Sequence, residues 1–314
     1  MFRYTKNEIR KIAEQNHFIV NTMEKVLRLR DMLVYVNKTG VCKALALKGG
    51  TAINFCLLPL PRLSVDADFD FCADASKDET RTMRSMIADS IARFAKMEGY
   101  ALSRNTRYSH SLDSFVYSYR TLSGSNDVLK IDINYSNRCH VSDPILSSVN
   151  VDPISGFTVI TLAKDELIGT KVAALIERTT PRDVFDVYAL LKHDAFVNAE
   201  FIKKIALFYM ALSGERPFDV SKLRRNAIGR ISSLDYGKLR STLIPVLRLD
   251  CKLDIVEMKN AVVDYLNKMF VLSESELLFA ENFNSNVFEQ RLLFDQNEVN
   301  DLSNHPMVKW KLGR

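Results

Sequence analysis

The chain has 314 residues, of which 47% are hydrophobic and 26% are charged, and its formal net charge is +5. This composition provides a substantial core, with room for one large domain or two ordinary ones. The N-terminus is polar and no apolar run approaches the roughly 18 residues of a membrane span, so we expect a cytoplasmic protein without a membrane partner. The cysteines are five in number and widely spaced, which argues against a disulfide framework or a zinc site.

The first part of the chain leads into a glycine pair. Apolar residues at helical spacing predict helices over residues 1–39, and a short apolar strand is predicted over 44–47. Gly49 and Gly50 follow, before a helix-like segment over 51–57. Bare backbone N–H groups at a helix start can hold a phosphate, because no Cβ stands in the way. A tight turn is the alternative explanation.

Aspartates alternate along the next predicted strand, which starts near Leu63. Successive strand side chains point to opposite faces, so Asp66, Asp68 and Asp70 share one face and apolar residues share the other. Hard cations such as Mg²⁺ bind carboxylate and phosphate oxygens. We therefore predict Asp66 and Asp68 as metal ligands beside a phosphate site, and leave out Asp70 because it lies near the strand end. A solvated edge strand is the alternative.

Two segments together resemble a known signature: LKGGTAI over 47–53 and RLSVDADF over 62–69. They resemble the DNA polymerase β-like nucleotidyltransferases, and among these the chain is similar to the AbiEii/MenT-like toxins of type IV toxin–antitoxin systems. The resemblance implies an α+β fold, in which a nucleotidyltransferase core with a mixed sheet precedes a mostly helical C-terminal domain. We predict that the nucleotide is contacted in this region by Gly49, Gly50, Thr51, Arg62 and Ser64.

A third carboxylate is predicted from the β-rich segment that follows. Strands are predicted over 101–107, 114–120, from 128 onward and over 156–160, with a loop over 137–153. Alternation along the strand from Val128 places Lys130, Asp132 and Asn134 on one face. Polymerase β-like enzymes use three carboxylates to hold two ions, so Asp132 is predicted as a further metal ligand. A cross-strand pair is the alternative explanation of this residue.

The chain changes character near residue 160, which predicts domains over 1–160 and 161–314. A helix over 162–178 places Lys171 on an apolar face, where a lysine commonly extends its ammonium to water. The next helix begins after Thr180, and Asp183 lies where a carboxylate stabilises a helix N-terminus. Asp186, one turn further, has no such structural explanation and is the better functional candidate.

The resemblance extends to these two helices. A pattern K-x-x-A-x-x-x-R at Lys171 to Arg178, followed by a basic-Asp-x-x-Asp pattern at Arg182 to Asp186, is similar to that of the AbiEii-like toxins. It implies that Lys171 binds nucleotide phosphates and that Asp186 is catalytic, with Asp183 as the less certain carboxylate. The helical domain is thereby expected to contribute both residues to the cleft.

Basic residues are concentrated between residues 221 and 252, which contain eight Lys or Arg and two Asp. Such a stripe suits RNA, although an ordinary solvated helix face has the same composition. The basic C-terminus with Trp310 can also stack on a nucleic-acid strand, but a docked C-terminus is the simpler explanation.

The resulting hypothesis is a nucleotidyltransferase that uses Mg²⁺ or Mn²⁺ to transfer NMP from an NTP to an acceptor. The resemblance implies that the acceptor is the 3′ end of tRNA, that translation and growth stop, and that a cognate antitoxin restrains the enzyme. A protein or small-molecule acceptor is one alternative, although basic residues disfavour a cationic aminoglycoside. A catalytically silent nucleotide- or RNA-binding module is the other.

Overall fold

A computed structural model describes residues 2–313 as two compact units, which we describe separately. Unit 1 contains the chain up to Arg138, Pro144–Leu162 and Pro245–Cys251. Unit 2 contains Cys139–Asp143, Ala163–Ile244 and the chain from Lys252 onward. Within residues 2–313, no helix combines the length and the apolar character needed to cross a bilayer.

Four helices of unit 1 support its sheet: α1 (Lys6–Gln15), α2 (Val20–Asn37), α3 (Gly49–Ala52) and α4 (Lys77–Glu98). Capping boxes begin α1 and α4. The hydroxyl oxygens of Thr5 and Ser76 each accept the backbone N–H of a glutamate three residues later, and the carboxylate of that glutamate accepts the backbone N–H of the threonine or serine. Helix α3 is a single turn that continues as a π-helical turn over Ile53–Leu57. The helix therefore begins at the glycine pair itself.

The sheet of unit 1 contains β1 (Leu45–Lys48), β2 (Asp66–Phe71), β3 (Ala101–Leu102), β4 (Arg107–Tyr108), β5 (Leu112–Arg120), β6 (Asn126–Asn134), β7 (Ile145–Val149) and β8 (Phe157–Thr161). Its order is β3-β5-β6-β2-β1-β8-β7, and β4 also pairs with β5. Strand β2 is central, antiparallel to β1 and parallel to β6. Its apolar side chains are buried, which leaves the aspartates on the opposite face.

Several predicted boundaries differ from the structure. Strand β2 begins at Asp66 and not near Leu63, because the backbone N–H of Leu63 donates to Val246 at 2.8 Å before the strand begins. The strand predicted over 101–107 is two short strands, β3 and β4. The loop predicted over 137–153 contains β7, which forms by antiparallel pairing with the later strand β8. Pairing with a distant strand leaves little local signal in the sequence.

Unit 2 is helical: α5 (Lys164–Arg178), α6 (Pro181–Lys192), α7 (Ala199–Ser213), α8 (Val220–Ser232), α9 (Tyr236–Thr242), α10 (Ile255–Met269), α11 (Glu274–Asn284) and α12 (Pro306–Lys311). Helix α5 packs against α6, α7 and α8. Gly169 permits its close approach to α7, since a Cβ there would lie 2.5 Å from Cγ2 of Ile205. The mixed sheet and this set of helices confirm the predicted fold class.

Candidate active site

Charged side chains from three strands meet on one face of the sheet in unit 1. In the strand register, Asp68 of β2 lies between Lys48 of β1 and Asp132 of β6, and Asp66 lies opposite Lys130. Because strand side chains alternate, all of these point to the same side as Asp70. We call this group the acidic face, and it consists of Lys48, Asp66, Asp68, Asp70, Lys130 and Asp132.

Two lysines of the acidic face form close ion pairs. Nζ of Lys48 lies 2.6 Å from Oδ1 of the buried Asp70, and Nζ of Lys130 lies 2.5 Å from Oδ2 of Asp132. The hydroxyl of Ser114 donates to Oδ1 of Asp132 at 2.6 Å. Neither lysine was predicted as a site residue. The signal was present, since Lys130 alternates in phase with Asp132 and Lys48 directly precedes the glycine pair.

The carboxylates of the acidic face raise the pKa values of Asp68 and Lys130. Burial raises the pKa of Asp68, and the nearby charges of Asp132 and Asp66 raise it further, against the opposite effect of Lys48 and Lys130. Burial alone would lower the pKa of Lys130, but its hydrogen bond to Asp132 and the surrounding carboxylates raise it. A bound cation would therefore stabilise the ionised form of Asp68.

Gly49 and Gly50, with Thr51, form the first turn of α3, which we call the glycine loop, and the two glycines let side chains approach this loop closely. Gly49 has a φ of +67°, and a Cβ there would lie 3.0 Å from Oδ2 of Asp68. A Cβ on Gly50 would lie 2.6 Å from Nη2 of Arg62. Both glycines therefore have a packing requirement of their own, and the loop is held directly against Asp68.

Three other predicted nucleotide-binding residues are buried around this loop. The hydroxyl of Thr51 donates to the backbone carbonyl of Asp66 and lies 2.9 Å from the hydroxyl of Ser64. The guanidinium of Arg62 donates to the carbonyl of Leu63 at 2.9 Å. Thr51 thus joins α3 to Ser64 and to the first residue of β2, and Arg62 lies against Gly50.

A second cluster of charges lies in unit 2, between α5 and α6. Nζ of Lys171 lies 3.1 Å from Oδ1 of Asp183 and 2.9 Å from Oδ2 of Asp186. All three side chains are buried, so Lys171 does not extend its ammonium to water. The sequence-predicted residues of unit 2 are therefore in mutual contact, and both candidate aspartates contact the same lysine.

Asp183 has further partners that explain its position. Arg178 donates to it from Nε at 2.7 Å and from Nη2 at 2.9 Å, and the hydroxyl of Thr180 donates at 2.6 Å. Its backbone N–H in turn donates to Thr180, the N-cap of α6. Burial would raise the pKa of Asp183, but Lys171, Arg178 and Thr180 outweigh it and hold this pKa well below the usual value.

The carboxylates of the acidic face differ in how available their oxygens are to a metal. Within residues 2–313, no three His, Cys, Asp or Glu side chains are grouped so that they could hold an ion as they stand. Both oxygens of Asp132 are engaged by Lys130 and Ser114. Asp66 and Asp68 form no ion pair within the described residues, and their oxygens suit Mg²⁺. The donor chemistry therefore fits a divalent cation on two carboxylates.

Residues 221–252, which were predicted as a basic stripe, are divided between the two units. Arg248, in unit 1, pairs with Asp250, and Arg230 donates to the carbonyl of Ile176 near the end of α5. The exposed cations of α8 and α9 are Lys222, Arg225, Arg230, Lys238 and Arg240. Trp310 is 68% exposed, although Val308 anchors α12 in unit 2.

Known proteins resemble this chain in sequence and in fold. Residues 33–265 match the profile of a family described as nucleotidyl transferase AbiEii toxin, type IV TA system. A search of curated proteins gives no significant match. Among solved structures, the chain is similar to MenT4, a nucleotidyltransferase toxin from Mycobacterium tuberculosis H37Rv, with a TM-score of 0.67 and 15% sequence identity. The similarity covers 91% of this chain and 100% of MenT4.

Proposed function

The chain belongs to the AbiEii nucleotidyltransferase toxin family of type IV toxin–antitoxin systems, and we propose that it transfers NMP from an NTP to the 3′ end of tRNA. Mg²⁺ or Mn²⁺ would be required, and the modified tRNA would no longer support translation. The observation that carries this proposal is the acidic face, where Asp66 and Asp68 of a central strand lie against the glycine loop.

Asp66 and Asp68 are proposed to hold the metal. When bound, the ion would neutralise the triphosphate and stabilise charge that develops during phosphoryl transfer. The excess of carboxylates around Asp68 supports this assignment. The role of Asp132 as a third ligand is a prediction from the family resemblance, and both of its oxygens already accept hydrogen bonds from Lys130 and Ser114.

The glycine loop is proposed to bind the triphosphate through the backbone of Gly49, Gly50 and Thr51. Arg62 and Ser64 lie against this loop and would hold its conformation or contact phosphate. The support is the contact between the loop and Asp68, because metal and phosphate oxygens must lie together in such a reaction.

Lys171 and Asp186 are proposed to act in the same reaction, Lys171 on the phosphates and Asp186 on the attacking hydroxyl. The family pattern of their two helices supports this. Between the two aspartates we choose Asp186, because Arg178, Thr180 and Lys171 already account for the position of Asp183. Asp183 would then orient Lys171.

RNA is the proposed acceptor, and an antitoxin is the partner that the family implies. Exposed cations on α8 and α9 support a polyanionic partner, since lysine and arginine attract phosphates and release counterions. The basic residues argue against a cationic small molecule as the acceptor.

The test is incubation of the purified full chain with total RNA, Mg²⁺ and each α-labelled NTP in turn. We expect label at the 3′ end of tRNA, mapped by nuclease digestion, with release of pyrophosphate. Asp68→Asn should remove this labelling, whereas the exposed Asp74→Asn serves as a matched control just beyond β2 and should retain it.

Other outcomes would contradict the proposal. Label on protein would identify a different acceptor class, and NTP binding without pyrophosphate release would identify a binding module. Equal labelling by the wild type and Asp68→Asn would remove the acidic face from the reaction.

A further inference from the structure

The acidic face contains more carboxylates than lysines. It has four aspartates and two lysines, which lie on strands β1, β2 and β6. Which aspartates already have a lysine partner therefore decides where a divalent cation can bind.

Among the described residues, only two of the four aspartates of the acidic face form an ion pair with one of its lysines. Lys48 pairs with Asp70 and Lys130 pairs with Asp132, at 2.6 Å and 2.5 Å. Asp66 and Asp68 form no ion pair within residues 2–313. The uncompensated charge is therefore located on the two residues that the sequence predicts as metal ligands.

Both carboxylate oxygens of Asp132 accept a hydrogen bond. Lys130 donates to Oδ2, and the hydroxyl of Ser114, opposite Asp132 on β5, donates to Oδ1 at 2.6 Å. A metal would have to displace one of these two donors before Asp132 could bind it. A hydrogen bond between charged groups is among the stronger interactions in proteins, so displacement has a cost.

We propose that the acidic face is built for one divalent cation on Asp66 and Asp68, and that Lys130 keeps Asp132 from binding a second. Lys130 is thus a positioning residue that neutralises the third carboxylate with a fixed ammonium. The inference rests on the proposed function and specifies how its metal site is organised.

The test counts bound Mn²⁺ by the electron paramagnetic resonance signal of the free ion, using the full chain without nucleotide. We expect one Mn²⁺ per wild-type chain, and one in Lys130→Arg, which preserves the positive charge. Lys130→Met releases Asp132 and should bind a second Mn²⁺. Asp132→Asn should still bind one, with affinity reduced by no more than about tenfold.

Two results would overturn the inference while leaving the proposed reaction intact. One is a wild-type chain that binds two Mn²⁺ and loses one in Asp132→Asn, which would make Asp132 a ligand. The other is a folded Lys130→Met variant that binds one Mn²⁺ with unchanged affinity. If Lys130→Met does not fold, as judged by circular dichroism, the counts for the wild type, Lys130→Arg and Asp132→Asn decide the question.

Absence of any Mn²⁺ binding to the wild type would also overturn the inference. RNA labelling with the same preparation separates this result from a failure of the proposed reaction. Labelling without bound Mn²⁺ would leave nucleotidyl transfer standing and reject only the metal assignment.

Discussion

The two charged clusters of this protein use the same residue types in opposite ways. In unit 1, strands present Asp66 and Asp68 on a partly solvent-accessible face, where carboxylates outnumber lysines. In unit 2, helices α5 and α6 bury Lys171 between Asp183 and Asp186, and Arg178 completes an equal number of charges. The first cluster has a charge left for a ligand, whereas the named groups of the second balance one another.

Because of this difference, the two clusters contribute differently to the stability of the folded protein. Like charges on neighbouring strands repel, so removing the carboxylate of Asp68, which lies opposite Asp132, should not destabilise the fold. A buried ion pair that loses one partner leaves a charge without compensation, which is strongly destabilising. Substitutions in unit 1 should therefore affect chemistry first, and substitutions in unit 2 should affect stability as well.

The largest expected effect is the loss of transfer activity in Asp68→Asn. The substitution removes a carboxylate from the proposed metal site, so we expect transfer to fall on the order of 10³-fold. The melting temperature should stay the same or rise, because Asp68 lies opposite Asp132 in the strand register. Labelled-NTP incorporation and a thermal melt on one preparation measure both. A large fall in melting temperature would remove the contrast between the clusters.

Lys171→Met should have the largest effect on stability. It leaves Asp183 and Asp186 buried without their shared ammonium, at a cost of about 3–5 kcal/mol in unfolding free energy. Lys130→Met is the matched comparison, because it removes a lysine that also pairs with an aspartate but whose side chain is 42% exposed. It should cost about 1 kcal/mol or less. Urea unfolding compares the two, and equal losses would show that burial does not distinguish the clusters.

Acid should destabilise the protein through Asp183. Its pKa is lower in the folded protein than in the unfolded chain, so the unfolded state takes up protons first as the pH falls. The stabilisation is present above the unfolded pKa of about 3.9 and is lost as the pH falls from there through the folded value. Asp183→Asn should be less stable than wild type at pH 7, but its free energy of unfolding should fall less on acidification. Parallel unfolding curves at pH 7, 5, 4 and 3 measure this, and identical pH slopes would contradict it.

The smallest effect concerns the contact between the glycine loop and the acidic face. Gly49→Ala and Gly99→Ala place a side chain at similar φ values, +67° and +71°, and each should cost about 1–2 kcal/mol in backbone strain. A Cβ at Gly99 has no atom within 4 Å, whereas one at Gly49 would press on Asp68. Only Gly49→Ala should also lower transfer activity, by about tenfold for a small displacement of the carboxylate. Equal activity in both variants would show that this contact is not needed.

The sequence by itself determined the local features of both clusters. Alternation in DADFDF places Asp66 and Asp68 on one face, and Thr180 with Pro181 begins α6 at the predicted residue. Helical spacing places Lys171 on the apolar face of α5, where it is buried. These features depend on the periodicity of one element or on a helix cap, and neighbouring residues decide both.

The tertiary structure decided which charges meet. The register of β6 against β2 places Asp132 beside Asp68, and the pairing of β1 with β2 brings Lys48 to Asp70. The same holds in unit 2, where the packing of α5 against α6 gives Lys171 two aspartates and not water. Strand register and helix packing join residues of different elements, so the pattern within one element does not specify these partners. The alternating aspartates therefore predicted a cation site, and only the fold showed which of them already have a lysine.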